Sequence, residues 1–178
     1  MCLARSGDAA AFESLVRRFE RAALAIACAI TGDGHLAGDA AQEAFVRAWQ
    51  RIGELREPAR FPAWLTGIVR NAAIDCLRRN RRHAAEELPD TLPARRDADP
   101  AEVAARQDLR RQLDEALAGL DQITRMAVAL RYYDGMSSQE IAQMLDLSPA
   151  AVDMRLMRAR RQLRQRLAGE QSTVLQEM

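Results

Sequence analysis

The chain contains no lysine: all 26 of its basic side chains are arginine. Genomic base composition is the plain explanation, but any phosphate or base contact must then be made by a guanidinium fork. Aromatic residues are scarce, at 4%. Runs of Val, Ile, Thr, Tyr and Phe are absent, which argues against a sheet. The three cysteines, Cys2, Cys28 and Cys76, are far apart and form no CxxC pair. The two histidines, His35 and His83, have no ligand-type spacing near them. Neither a disulfide framework nor a metal centre is expected. Cys28 sits in an apolar run and reads as a buried, reduced thiol. That run, Ala22 to Ile30, is too short to span a bilayer, and no signal peptide precedes it. A cytoplasmic location without membrane contact is expected. The chain also offers no Ser/His/Asp set and no Gly-rich phosphate loop, so no catalytic residue, enzyme activity or cofactor is expected.

What the sequence does have is helix formers: Ala, Leu, Arg, Gln and Glu. With 178 residues, one ordinary domain or two small ones can form. Asp8 is a candidate N-cap for a first helix that carries Phe12, Leu15, Val16, Phe19, Ala23 and Ile26 at helical spacing. Thr31-Gly32-Asp33-Gly34 ends it. A second helix is predicted from about Leu36 to Glu54. A loop follows over residues 56–60. A third helix opens at Phe61-Pro62 and closes in the basic run Arg78-Arg79-Asn80-Arg81-Arg82. Residues 84–100 contain three prolines, many acids and no periodicity, the composition of a flexible linker. Beyond it, helices are predicted over roughly 101–117, 122–133, 138–145 and 149–167, with Gly169 suited to ending the last.

The net charge of +1 hides an uneven distribution: residues 1–83 carry +4, residues 84–108 carry −4 and residues 109–178 carry +1. Residues 155–166 hold six arginines and no acid. Two basic pieces therefore flank an acidic connector.

The last two helices have clear starts. Ser137 with Glu140 forms a capping box, and Ser148 is followed by a proline at the first helical position. The spacing across Leu145-Asp146-Leu147-Ser148 is that of a helix-turn-helix. Ile141, Ala142 and Leu145 face Val152, Leu156 and Leu163 across it. That leaves Ala150, Ala151, Asp153, Met154, Met157 and Arg158 toward a major groove, with Arg155, Arg160 and Arg161 on the flanks, where phosphates run. The positive N-terminus at Ser148–Ala150 favours a phosphate.

The stretch "YYDGMSSQEIAQMLDLSPAAVDMRLMRARRQL" (132–163) resembles the promoter-binding C-terminal domain of extracytoplasmic-function sigma factors, members of the sigma-70 family. "DAAQEAFVRAWQRI" (39–52) is similar to the family's core-polymerase-binding helix, and "FPAWLTGIVRNAAIDCLRRNRR" (61–82) to its −10 recognition helix. The resemblance implies an all-α chain of two small helical domains. A three-helix sigma-2-like domain spans 1–83 and an acidic linker 84–100. A four-helix sigma-4-like domain spans 101–168, and a short tail 169–178.

By that resemblance Asp39, Gln42, Glu43, Phe45, Val46 and Trp49 dock the β′ coiled coil of RNA polymerase core. Arg56, Arg60, Phe61, Trp64, Asn71, Asp75, Arg78 and Arg79 recognise and melt −10 DNA. Ser148, Ala150, Asp153, Met154, Arg155, Met157, Arg158, Arg160 and Arg161 read −35 DNA. The resemblance also implies promoter DNA, the polymerase β flap and an anti-sigma factor as partners.

Asp153 and Met154 depart from the family, which commonly has a basic residue and a serine there. Asp153 cannot bond a phosphate or the acceptor edge of guanine; it either accepts from cytosine N4 or pairs with a helix neighbour three or four residues away and reads nothing. Met154 and Met157 can touch a thymine methyl. The alternative function is a helix-turn-helix regulator that does not bind core polymerase.

Overall fold

The computed structural model describes residues 2–86 and 100–176, with side chains for residues 4–83, 107–108 and 111–167. Most of the expected linker therefore lies outside the described residues. The helices run α1 (Cys2–Arg5), α2 (Ala9–Thr31), α3 (Gly34–Arg51), α4 (Phe61–Glu86), α5 (Pro100–Ala118), α6 (Gln122–Tyr132), α7 (Ser138–Leu145) and α8 (Pro149–Gln176). No strand occurs among the described residues, and none of their helices is long and apolar enough to cross a membrane.

Caps set most of the boundaries. The Asp8 carboxylate accepts from the Ala11 amide at 3.0 Å. Gly32 closes α2 in the left-handed conformation at φ 68°, which costs glycine little. Asp33 then accepts from the amides of His35 and Leu36 at 2.8 and 2.9 Å, so α3 starts at Gly34, two residues earlier than the apolar pattern predicts. Short 3-10 turns over Ile52–Glu54 and Pro58–Arg60 carry the chain into α4.

In the first half, α2, α3 and α4 pack on one another. Their contact surfaces are rich in alanine, with Ala22, Ala23, Ala40, Ala44, Ala48, Ala72 and Ala73 all fully buried. Small side chains let the helix axes approach, and Ile26, Phe61, Leu65 and Val69 fill what remains. In the second half, Met126, Leu130, Ile141, Met144, Val152 and Leu156 form the core. The two cores are continuous, because α2 packs on α6 and α4 on α7. Arg21 fastens this junction, pairing with Asp134 at 3.0 Å and donating to the Tyr133 carbonyl at 3.1 Å. Arg125 Nε donates to the Ala29 carbonyl at 3.1 Å.

Three expectations need correction. Cys28 is exposed rather than buried, because the apolar run of α2 is wider than the stripe its neighbours cover. Helix α4 continues to Glu86, so the start of the acidic stretch is helical. Helix α8 continues to Gln176 through Gly169. A lone glycine costs a helix only about 1 kcal/mol, and the Leu, Ala, Glu and Gln around it favour helix. The short helix α1 had no periodic signal.

Candidate DNA- and polymerase-binding surfaces

The alanines of α3 face inward, so its outer stripe is left to Asp39, Gln42, Val46 and Trp49, all exposed. Val46 is 56% and Trp49 38% exposed, which makes a small apolar patch rimmed by polar groups. Trp49 also leans edge-on against Phe12 at 4.9 Å, so it is anchored as well as accessible. Phe45 is half-buried against the core, and most of its surface is committed to packing.

Glu43 looks toward α4. One carboxylate oxygen accepts from Arg47 at 2.5 Å and the other from Arg79 at 2.5 Å. Arg47 in turn reaches Asp75 at 2.9 Å. Arg79's hydrogen bond holds the Glu43 carboxyl below its ordinary range; partial burial opposes this and Arg47 adds to it. The carboxylates of Asp75 and Glu43 raise Arg47, Asp75 through the stronger hydrogen bond. Two residues expected at −10 DNA, Asp75 and Arg79, are thus tied to a residue expected at the polymerase. Arg47, absent from the expected contacts, is the link.

Along α4, Asn71, Asp75 and Arg78 recur on one face. Asn71 and Arg78 are exposed, and so are Arg56 and Arg60 in the preceding loop. Arg60 makes an exposed pair with Glu57 at 3.2 Å, which holds it weakly. Phe61 stands apart from this group. It is only 2% exposed, packed against Phe19 at 5.3 Å and Trp64 at 5.9 Å. Phe61 therefore belongs to the core and not to the exposed −10 group, and Trp64 is half-buried beside it.

The helix-turn-helix is built as its caps dictate. Ser137 and Glu140 complete the capping box, with the Ser137 amide donating to Glu140 at 2.8 Å. Those bonds from Ser137 hold the Glu140 carboxyl low. Asp146 closes α7 at φ 54°, the one left-handed residue other than glycine among those described. Asp is one of the few side chains that tolerate this region. Ser148 then accepts from the Ala151 amide at 3.2 Å.

Helix α8 presents Ala150, Asp153, Met154 and Met157 on one outer face, with Met154 48% and Met157 57% exposed. The arginines divide into two groups. Arg155 reaches back to Asp121 at 3.3 Å and to the Thr124 hydroxyl at 3.2 Å. Arg160 donates to the Tyr132 hydroxyl at 2.8 Å. Among the described residues, Arg158 and Arg161 make no hydrogen bond or ion pair, so both are available to DNA. Asp153 has no partner three or four residues away on its own helix. It accepts from the hydroxyl of Ser138 on α7, a contact that helix spacing cannot reveal.

Two family models match the chain: sigma-70 region 2 over residues 15–83 and sigma-70 region 4 over residues 110–163. The chain is 37% identical over 166 residues to the ECF RNA polymerase sigma factor SigL of Mycobacterium tuberculosis, covering 89% of this chain and 92% of SigL. It is 39% identical over 168 residues to the probable RNA polymerase sigma factor RfaY of Xanthomonas campestris, and spans 42% of that longer protein. Among solved structures, CnrH in complex with the cytosolic domain of CnrY is 31% identical, with a TM-score of 0.63 and 94% of each chain covered. A second, the sigma factor RpoE of Bartonella quintana with the anti-sigma factor NepR, is 21% identical at a TM-score of 0.54 and shares the fold.

Proposed function

We infer how the molecule works from one premise: the chain belongs to the extracytoplasmic-function sigma factors of the sigma-70 family. A sigma factor directs RNA polymerase core to promoters and helps open them; it is not itself an enzyme. The matched relatives speak for that function and not for a regulator that bypasses the polymerase. Residues 1–83 act as the unit that binds core and −10 DNA, and residues 101–168 as the unit that binds −35 DNA. The cytoplasm, where transcription occurs in bacteria, is its place of action.

The observation that carries the assignment of surfaces is the outer stripe of α3, where Val46 and Trp49 are exposed in line with Asp39 and Gln42. An exposed apolar patch on a helix whose inner face is already satisfied marks a protein partner. The polymerase β′ coiled coil is that partner. Arg56, Arg60, Asn71 and Arg78 form the −10 surface. Asn71 bonds a base edge, and the arginines hold the backbone of the opened strand. Ser148, Ala150, Met154, Met157, Arg158 and Arg161 face the −35 duplex. CnrH was solved in complex with the cytosolic domain of CnrY, which speaks for a further protein partner here, and an anti-sigma factor is the partner the family reading names.

The test is capture of core polymerase by the full chain. The wild type should bind core, and Gln42→Arg with Val46→Glu should abolish binding while helical content stays unchanged. Failure of the wild type to bind core would sink the reading.

A further inference from the structure

An acidic side chain on the face of a DNA-reading helix needs an explanation, because phosphates repel it. Asp153 is exposed on the outer face of α8, in the same stripe as Ala150, Met154 and Met157. Its Oδ1 accepts from the hydroxyl of Ser138 at the start of α7. The Ser138 hydroxyl in turn accepts from Arg131 Nη2 of α6 at 2.5 Å. Three helices thus contribute one link each to a chain that runs from a guanidinium, through a hydroxyl, to the carboxylate. Such a chain polarises along its length and partly neutralises the carboxylate without removing its acceptor capacity.

Arg131 holds this position although its Nε is buried with no hydrogen-bond partner among the described residues. With Oδ1 engaged, the second oxygen, Oδ2, has no partner among the described residues.

We propose that Asp153, oriented by Arg131 through Ser138, selects a base carrying an exocyclic amino group, cytosine above all, at one position of the −35 element. A carboxylate only accepts hydrogen bonds. In the major groove, the donors it can meet are cytosine N4 and adenine N6; guanine O6 and N7 and thymine O4 are acceptors and repel it. Asp153 therefore both attracts one class of base and rejects the other. Ser138 and Arg131 are positioning residues that touch no DNA. This rests on the sigma-factor reading and names the base class which that site takes.

The experiment is transcription by core polymerase with the full-length chain on a promoter library randomised across the −35 element, followed by sequencing of the transcribed templates. The wild type should enrich cytosine at one position, or adenine if N6 is the donor. Asp153→Ala should lower that enrichment roughly tenfold, the cost of one good base contact, and leave the other positions as they were. Ser138→Ala should lower it part of the way at the same position, and Ser138→Thr, which keeps the hydroxyl, should restore it. An unchanged profile with Asp153→Ala, or an equal weakening at every position, would overturn the proposal. If the wild type supports no polymerase-dependent selection at all, the sigma-factor reading fails first and the proposal fails with it.

Discussion

Arg79 on α4 and Glu43 on α3 meet at 2.5 Å, so the surface assigned to −10 DNA and the surface assigned to polymerase share an ion pair. The pair does not stand alone, since Arg47 bridges Glu43 to Asp75. Four residues, two from each helix, link α4 to α3 across their seam. They join the proposed polymerase surface on α3 to the helix that carries Asn71.

The first prediction concerns acid. Arg79's hydrogen bond holds the Glu43 carboxyl in the folded chain below the ordinary carboxylate range. Its contribution is therefore fully present above the unfolded value and is lost as pH falls through the lower, folded one. Thermal melts of the wild type and of Glu43→Gln should differ at neutral pH, with the wild type the more stable. The gap should close on acidification below about pH 4.5. A gap that is constant with pH would show that the carboxylate's charge is not what matters.

Phe61 supplies the second. As a core residue, Phe61→Ala should cost about 3–5 kcal/mol of stability, while Phe61→Leu should cost far less and still open promoters. Arg60→Ala should leave the melting temperature within a few degrees and weaken promoter binding. Potassium permanganate footprinting of the −10 region, alongside a thermal melt, separates the two behaviours. Loss of opening with Phe61→Leu in a protein of normal stability would return Phe61 to the DNA surface.

Asp146 supplies the third. A β-carbon in the left-handed region costs roughly 1–2 kcal/mol, less for Asp than for most residues. Asp146→Gly should hold or raise the melting temperature, and Asp146→Val should lower stability by at least about 1 kcal/mol. Urea titration of both variants checks the sign.

The fourth concerns the junction of the two halves. Helices α2 and α6 pack against each other, so if each half engages its own promoter element as proposed, this junction is expected to part on the DNA. Arg21→Glu, which replaces the attraction to Asp134 with repulsion, should increase the radius of gyration of the free chain in small-angle scattering. An unchanged radius would mean that the shared apolar core, not Arg21, holds the halves together.

Features held by bonds within a few residues were legible in the sequence. The Asp8 cap, the Ser137–Glu140 box and the Ser148 start are side chains bonding amides three residues away. The alternation of buried and exposed positions on α7 and α8 also followed from helical spacing. Features set by contacts between helices were not legible. Nothing local says that Ser138 meets Asp153, that Arg79 crosses to Glu43, or that Arg155 reaches Asp121. Phe61 looked like a −10 DNA contact from its motif, yet the ring of Phe19 covers it from another helix. Gly169 looked like a stop, but glycine ends a helix only where the chain takes the left-handed turn, and here it continues.

The first half is proposed to recruit polymerase, and both halves to read promoter DNA. Run-off transcription with purified core polymerase tests it most directly, on a promoter taken from the randomised library and on copies with either the −10 or the −35 element scrambled. The account predicts a specific transcript that requires the chain and is lost on scrambling either element, and that Asn71→Ala reduces while −35 binding is retained. A transcript that survives scrambling of both elements, or none from any template in the library, would contradict it.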